Sequence, residues 1–145
     1  MSEERTVMGR RMVRRAIVAS AVLALVAASC GGDDSGATGD TGWERIDATA
    51  LEQRMASEDV YLVNVHVPYE GEIPGTDAFI SYTEIADRLV ELPDDGSLVI
   101  YCRRGNMSTQ SAQELVDAGF TEFVELEGGY QAWQAAGLPF EVNPA

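Results

Sequence analysis

The chain is 145 residues long and sets 24 Asp and Glu against ten arginines, with no lysine, for a net charge of −14 at neutral pH. A field of that sign repels phosphate backbones and anionic lipid headgroups, so nucleic-acid binding and electrostatic docking on a membrane are both disfavoured. The length admits one domain with a modest core and leaves no room for two.

Arg10, Arg11, Arg14 and Arg15 stand directly before an uncharged apolar run from Ala16 to Ala28. That run is shorter than the about 20 residues a membrane-spanning helix needs and fits the about 7–15 of an export signal. It ends in Ala27-Ala28-Ser29-Cys30, followed by Gly31-Gly32-Asp33-Asp34, and so resembles the lipobox of bacterial lipoproteins, with Ala27 where Leu or Val is usual. The resemblance implies a signal peptide over residues 1–29, cleavage before Cys30 and a diacylglyceryl thioether on that cysteine. The protein is then expected outside the cytoplasm, anchored to the outer face of the cell membrane. A plain secretory signal or a retained anchor helix are the alternatives. Arg10-Arg11 lacks the surroundings of a twin-arginine motif, and the export route stays open. Removing residues 1–29 leaves 116, with 22 acids against Arg45, Arg54, Arg88, Arg103 and Arg104, a net charge of −17 that favours solubility.

Residues 30–42 read as a flexible tether, because Gly31 to Gly42 are Gly, Asp, Ser, Thr and Ala with nothing large to bury. A single domain is expected over 43–140, from Trp43, with a tail at 141–145. Thr49-x-x-Glu52 and Ser81-x-x-Glu84 are capping-box patterns that predict helices carrying Leu51 and Met55, and Ile85 and Leu89. Val60 to Val65 and Leu98 to Tyr101 are nearly continuous apolar and β-branched runs, suited to strands covered on both faces. Pro93 stops the second helix, and Asp94-Asp95-Gly96 turns the chain into the strand. After Cys102 a helix is predicted to Ala118, presenting Ser108, Ser111, Ala112, Leu115 and Val116 on one narrow face, with Gly119 at its end. Phe123 to Leu126 reads as a last strand and Tyr130 to Ala136 as a short helix in which Tyr130 and Trp133 pack. This alternation predicts a doubly wound α/β fold: a mostly parallel sheet of about five strands with helices on both faces.

With Cys30 lipidated, Cys102 is the one free thiol of an exported protein, either inert in the core or kept for reactivity. It lies at the carboxyl end of a buried strand and before a helix, where open α/β sheets place their ligands. The loop Cys102-Arg103-Arg104-Gly105-Asn106-Met107-Ser108 closes onto a helix N-terminus, so backbone N–H groups and the helix dipole converge on an anion. A thiolate or a persulfide on the same sulfur is stabilised there. Gly105 permits the tight path, and Arg103 and Arg104 bring two positive charges. His66, the only histidine, is expected at the same strand-end edge as a candidate auxiliary residue or a structural one. One histidine and one free cysteine supply no usual metal set.

The loop resembles the rhodanese active-site motif C-x-x-G-x-R-S, and three further stretches follow in that family's order. Asn64-Val65-His66 stands where the family has Asp-Val-Arg. Glu70-Gly71-Glu72-Ile73-Pro74-Gly75-Thr76 matches its Glu-x-Gly-His-Ile-Pro-Gly-Ala stretch in part, and Leu126-Glu127-Gly128-Gly129-Tyr130-x-x-Trp133 its Leu-x-Gly-Gly-x-x-x-Trp close. The resemblance covers nearly all of Trp43 to Phe140. It implies sulfurtransferase chemistry through a transient persulfide on Cys102, with no cofactor, a small thiosulfate-like donor and a thiol acceptor; a monomer is expected, though residue order does not fix the oligomeric state. Met107 replaces the loop's closing Arg, and Asn64 and His66 remove a charge pair. Without that Arg, Met107 and Ser108 cannot clamp phosphate as the related dual-specificity phosphatases do, and arsenate reduction also wants a resolving cysteine. The alternative function is a persulfide or redox relay serving a protein partner, whose identity the residues do not give.

Overall fold

The computed structural model describes residues 42–142. The expected leader, the lipidation site Cys30, all of the tether but Gly42, and residues 143–145 lie outside the described residues. Five strands form one sheet: β1 (Glu44–Ile46), β2 (Tyr61–Asn64), β3 (Ala78–Phe79), β4 (Leu98–Tyr101) and β5 (Val124–Leu126). Their order across the sheet is β1-β5-β4-β2-β3, and each neighbouring pair is parallel. Three α-helices accompany them: α1 (Ala48–Ser57) between β1 and β2, α2 (Asn106–Asp117) between β4 and β5, and α3 (Gly129–Ala135) after β5.

Side-chain alternation along the central strands builds two cores. Leu62, Val99, Tyr101, Val124 and Leu126 face Ala48 and Leu51 of α1 and Tyr130 and Trp133 of α3. Val63, Leu98 and Ile100, with Val65 just beyond β2, face Ala112 and Leu115 of α2 and Ile85. Both faces are therefore covered, which is why these strands read as continuous apolar runs rather than alternating ones. Each fully buried Leu, Ile or Val contributes on the order of 1.5–3 kcal/mol against exposure, so the sheet is a rigid base for the loops at its carboxyl edge. Among the described residues no helix is long and apolar enough to cross a membrane.

Two helix expectations are corrected. α1 is capped by Asp47, whose carboxylate accepts the Ala50 N–H at 2.8 Å, so Thr49 falls inside the helix and not at its cap. The helix expected after Ser81 is instead two 3-10 turns, Ile85–Asp87 and Leu89–Glu91. Ser81 bonds locally, accepting the Thr83 N–H at 3.3 Å and meeting its hydroxyl at 2.9 Å. Ile85, Leu89 and Leu92 still reach the core through these turns while Val90 is 97 % exposed, but with the Ser81 hydroxyl turned to Thr83 the first turn at Glu84 has no side-chain cap to start an α-helix. The short strands β1 and β3 have too few residues to show a period in sequence.

Candidate active site

Parallel pairing of β2 with β4 sets Asn64 beside Tyr101, so His66 and Cys102 leave the sheet together at its carboxyl edge. The turn carrying His66 is pinned by the fully buried Asn64, whose Nδ2 donates to Gly71 O at 3.0 Å while its Oδ1 accepts the His66 N–H at 3.0 Å. The next stretch hangs on Tyr101: its hydroxyl accepts the Ile73 N–H at 3.1 Å and lies 2.7 Å from Thr76 Oγ1. Burial pushes the Tyr101 phenol well above its ordinary range, so it stays a neutral post.

The Cys102 loop is held from behind by α3. The N–H groups of Tyr130 and Gln131 donate to Cys102 O at 2.9 Å and Arg103 O at 3.1 Å. A Cβ on Gly129 (φ 60°) would stand 2.1 Å from Cys102 O, so this close approach requires glycine. With its carbonyls turned toward α3, the loop presents N–H groups forward. Gly105, at φ 104° before the first turn of α2, donates its N–H to Cys102 Sγ at 3.0 Å, and Ser108 Oγ lies 3.5 Å from the same sulfur. The N-terminal N–H groups of α2 have no intrahelical acceptor, and the helix dipole adds positive potential at that point.

Cys102 is only 2 % exposed, but it lines an open cleft of about 190 Å³ with His66, Arg103, Arg104, Asn106 and Met107. Every loop residue singled out in sequence thus borders the cleft, except Gly105 and Ser108, which support the sulfur from the helix side. A larger cavity, of about 420 Å³, sits at the opposite edge of the sheet around Arg54, Gly96 and Phe123, with neither cysteine nor histidine in its lining.

The two arginines do not arrive as two free charges. Arg103 Nη1 donates to Glu70 Oε1 at 3.1 Å, whereas Arg104 donates its Nε to the neutral Gln131 Oε1 at 2.8 Å. Glu70 also accepts a short hydrogen bond from Tyr130 Oη. That bond above all holds the Glu70 carboxyl below the usual carboxylate range; burial opposes it, and the Arg103 charge and the neighbouring His66 add smaller lowering effects. Burial and the bond to Glu70 push the Tyr130 phenol far up. Tyr130 is therefore more than the packing residue expected. His66 Nε2 lies 3.2 Å from Glu70 Oε2 but out of line for a hydrogen bond, leaving both ring nitrogens buried without one. The ring edge meets Tyr130 at 5.7 Å between centroids.

One group at the site carried no expectation. Glu125, in the middle of β5 and 1 % exposed, accepts from Trp43 Nε1 at 2.8 Å and Arg45 Nε at 3.0 Å on one oxygen. Its other oxygen accepts from Ser108 Oγ at 2.7 Å and Thr109 Oγ1 at 2.8 Å. A lone acid inside an otherwise apolar strand was the available signal. No cluster of three or more His, Cys, Asp or Glu that could hold a metal occurs among the described residues.

The comparisons with known proteins agree with this geometry. The family model described as "Rhodanese-like domain" matches residues 47–136. A protein named sulfurtransferase from Allochromatium vinosum is 41 % identical over 99 residues, covering 65 % of this chain and 91 % of its own length. A thiosulfate sulfurtransferase GlpE from Pseudoalteromonas translucida is 37 % identical over 85 residues, covering 57 % and 80 %. The solution structure of the rhodanese-like domain of the Alr3790 protein from Anabaena sp. superposes with a TM-score of 0.61 at 27 % identity, covering 70 % of this chain and 84 % of that one.

Proposed function

The chain belongs to the rhodanese-like domain family, and on that premise we propose that it is a sulfurtransferase carrying sulfane sulfur on Cys102, held outside the cytoplasm by a lipid on Cys30. The observation that carries the chemistry is Cys102 Sγ at 3.0 Å from the Gly105 N–H, at the head of α2 and on the wall of an open cleft. Names of relatives point to thiosulfate as donor. The Cys102 thiolate attacks the outer sulfur of thiosulfate. The sulfur–sulfur bond breaks, sulfite leaves with the electron pair, and a persulfide remains whose terminal anionic sulfur is stabilised by loop N–H groups. An acceptor thiolate or cyanide then attacks that terminal sulfur, and Sγ departs as thiolate. No cofactor enters the cycle. Arg104, whose side chain bonds a neutral amide among the described residues, supplies the anion contact at the mouth.

Treatment with thiosulfate should add the mass of one sulfur to Cys102, and Cys102→Ser should take up none; failure to load from thiosulfate or any organic persulfide would sink the enzyme. Intact mass of the exported protein reads acylation of Cys30 in the same spectrum. A second reading, a relay that exchanges sulfur with a protein thiol, draws support from Met107 in the cleft wall and from the commitment of Arg103 to Glu70. Steady-state turnover of thiosulfate as rapid as the relatives' would rule against that reading.

A further inference from the structure

Ser108 has one hydroxyl proton and three acceptors within reach: Glu125 Oε1 at 2.7 Å, Gly105 O at 3.0 Å and Cys102 Sγ at 3.5 Å. The neighbouring groups decide which acceptor takes it. Glu125 Oε2 faces the Trp43 and Arg45 N–H groups, which can only donate. Arg45 Nη2 also donates to Thr109 Oγ1 at 3.2 Å, which sends the Thr109 proton to Glu125 Oε1. The carboxylate is thus charged, buried and paired with a guanidinium, and it makes the shortest of the three contacts to Ser108. Hydrogen bonds to an ionised acceptor are the strong ones, so the proton stays on that side.

We infer that Glu125 is a positioning residue that acts through Ser108, locking the hydroxyl so that its lone pairs, and not its proton, face Cys102 Sγ. This deepens the sulfurtransferase reading and rests on it. An oxygen so turned accepts from a Cys102 S–H and opposes a charge on Sγ. It does not oppose the persulfide, in which Sγ is a neutral divalent sulfur and the negative charge sits on the terminal atom. The lock therefore favours the protonated and sulfur-loaded states over the bare thiolate, and it slows unloading, where the acceptor breaks the sulfur–sulfur bond and Sγ must leave with the electron pair. The other titratable and charged groups around the sulfur are His66 beyond β2, Glu70 and Arg103 at the rim, Arg104 on the loop and Tyr130 on α3. None of them touches Ser108 Oγ.

In Glu125→Gln the amide oxygen should turn to Trp43 and Arg45, and its NH2 should donate to Ser108, freeing the hydroxyl proton for Sγ. The full chain is alkylated with iodoacetamide across a pH series, with the Cys102 peptide followed by mass spectrometry so that Cys30 does not interfere. Expected are about tenfold faster alkylation of Glu125→Gln at a fixed pH below the plateau, corresponding to a profile moved to lower pH, and faster release of loaded sulfur to a thiol acceptor. Ser108→Ala should leave the profile unmoved or moved to lower pH, and in the double variant Glu125→Gln should add less than half of its single-variant change. A Ser108→Ala profile moved to higher pH overturns the inference, because it would mean that Ser108 already donates to the thiolate. So does the full Glu125→Gln change surviving in Ser108→Ala, or no change in Glu125→Gln. If Glu125→Gln does not fold, the direction of the Ser108→Ala change decides alone. Sulfur loading is read on the same samples: an unloaded Cys102 with the coupling intact removes the sulfurtransferase reading and leaves the lock standing.

Discussion

Glu125 and Glu70 are two carboxylates on opposite sides of the Cys102 loop, each holding an arginine, yet they do different work. Glu125 is sealed behind the loop with four donors on its two oxygens. Glu70 stands at the rim, 37 % exposed, and shares Arg103, Tyr130 and His66. Water screens the rim cluster, so it orients groups without holding the fold, whereas the rear network is part of the core and any unmet donor there costs its full desolvation. The difference teaches that the loop's stability is built from behind and its charge is trimmed from in front.

The strongest way to break that contrast is to truncate each acid in turn. Glu125→Ala removes the buried acceptor shared by Trp43, Arg45, Ser108 and Thr109 and should cost about 3–5 kcal/mol by urea denaturation, while Glu70→Ala should leave the urea midpoint nearly unmoved. Comparable losses in the two variants would erase the distinction. Next in size is Gly129→Ala. It forces a side chain into a left-handed backbone position and onto Cys102 O, so it should cost about 1–3 kcal/mol in strain and lower sulfur loading of Cys102 by on the order of a hundredfold, since the loop must shift. Normal loading in a folded Gly129→Ala would show that the rear support does not set the loop.

Acid sharpens the comparison with a smaller effect. Because the folded-state pKa of Glu70 is lowered, its contribution is present above the unfolded value and is lost as pH falls through the folded one. NMR signals of the Tyr130 ring and the Arg103 guanidinium should move together in that lowered range while the fold persists. Signals that stay flat until acid unfolding would mean the rim cluster is not held by Glu70. Salt should act least. If the acidic surface repels thiosulfate, raising ionic strength to where screening acts beyond about 8 Å should speed loading modestly; a slower rate would mean Arg104 governs the approach.

Much of this molecule is legible in residue order alone. Buried parallel strands announce themselves at Leu98 to Tyr101, the loop after Cys102 by its Gly105 and its place before a helix, and the close at Gly128-Gly129 by its match to the family motif, because periodicity, turn chemistry and a motif are local. The 3-10 turns after Ser81 depart from the expected helix because a capping-box pattern does not say whether the cap is made: the Ser81 hydroxyl turns to Thr83 and Glu84 is left without a side-chain cap. Tertiary structure alone decided which charges are spent and which way protons point. Glu125 meets Trp43 and Arg45 from about 80 positions away, and Arg103 meets Glu70 across 33. Hydrogen bonding and Coulomb energy depend on distance and burial in space, so the order of residues names the candidate nucleophile while only the folded chain sets its surroundings.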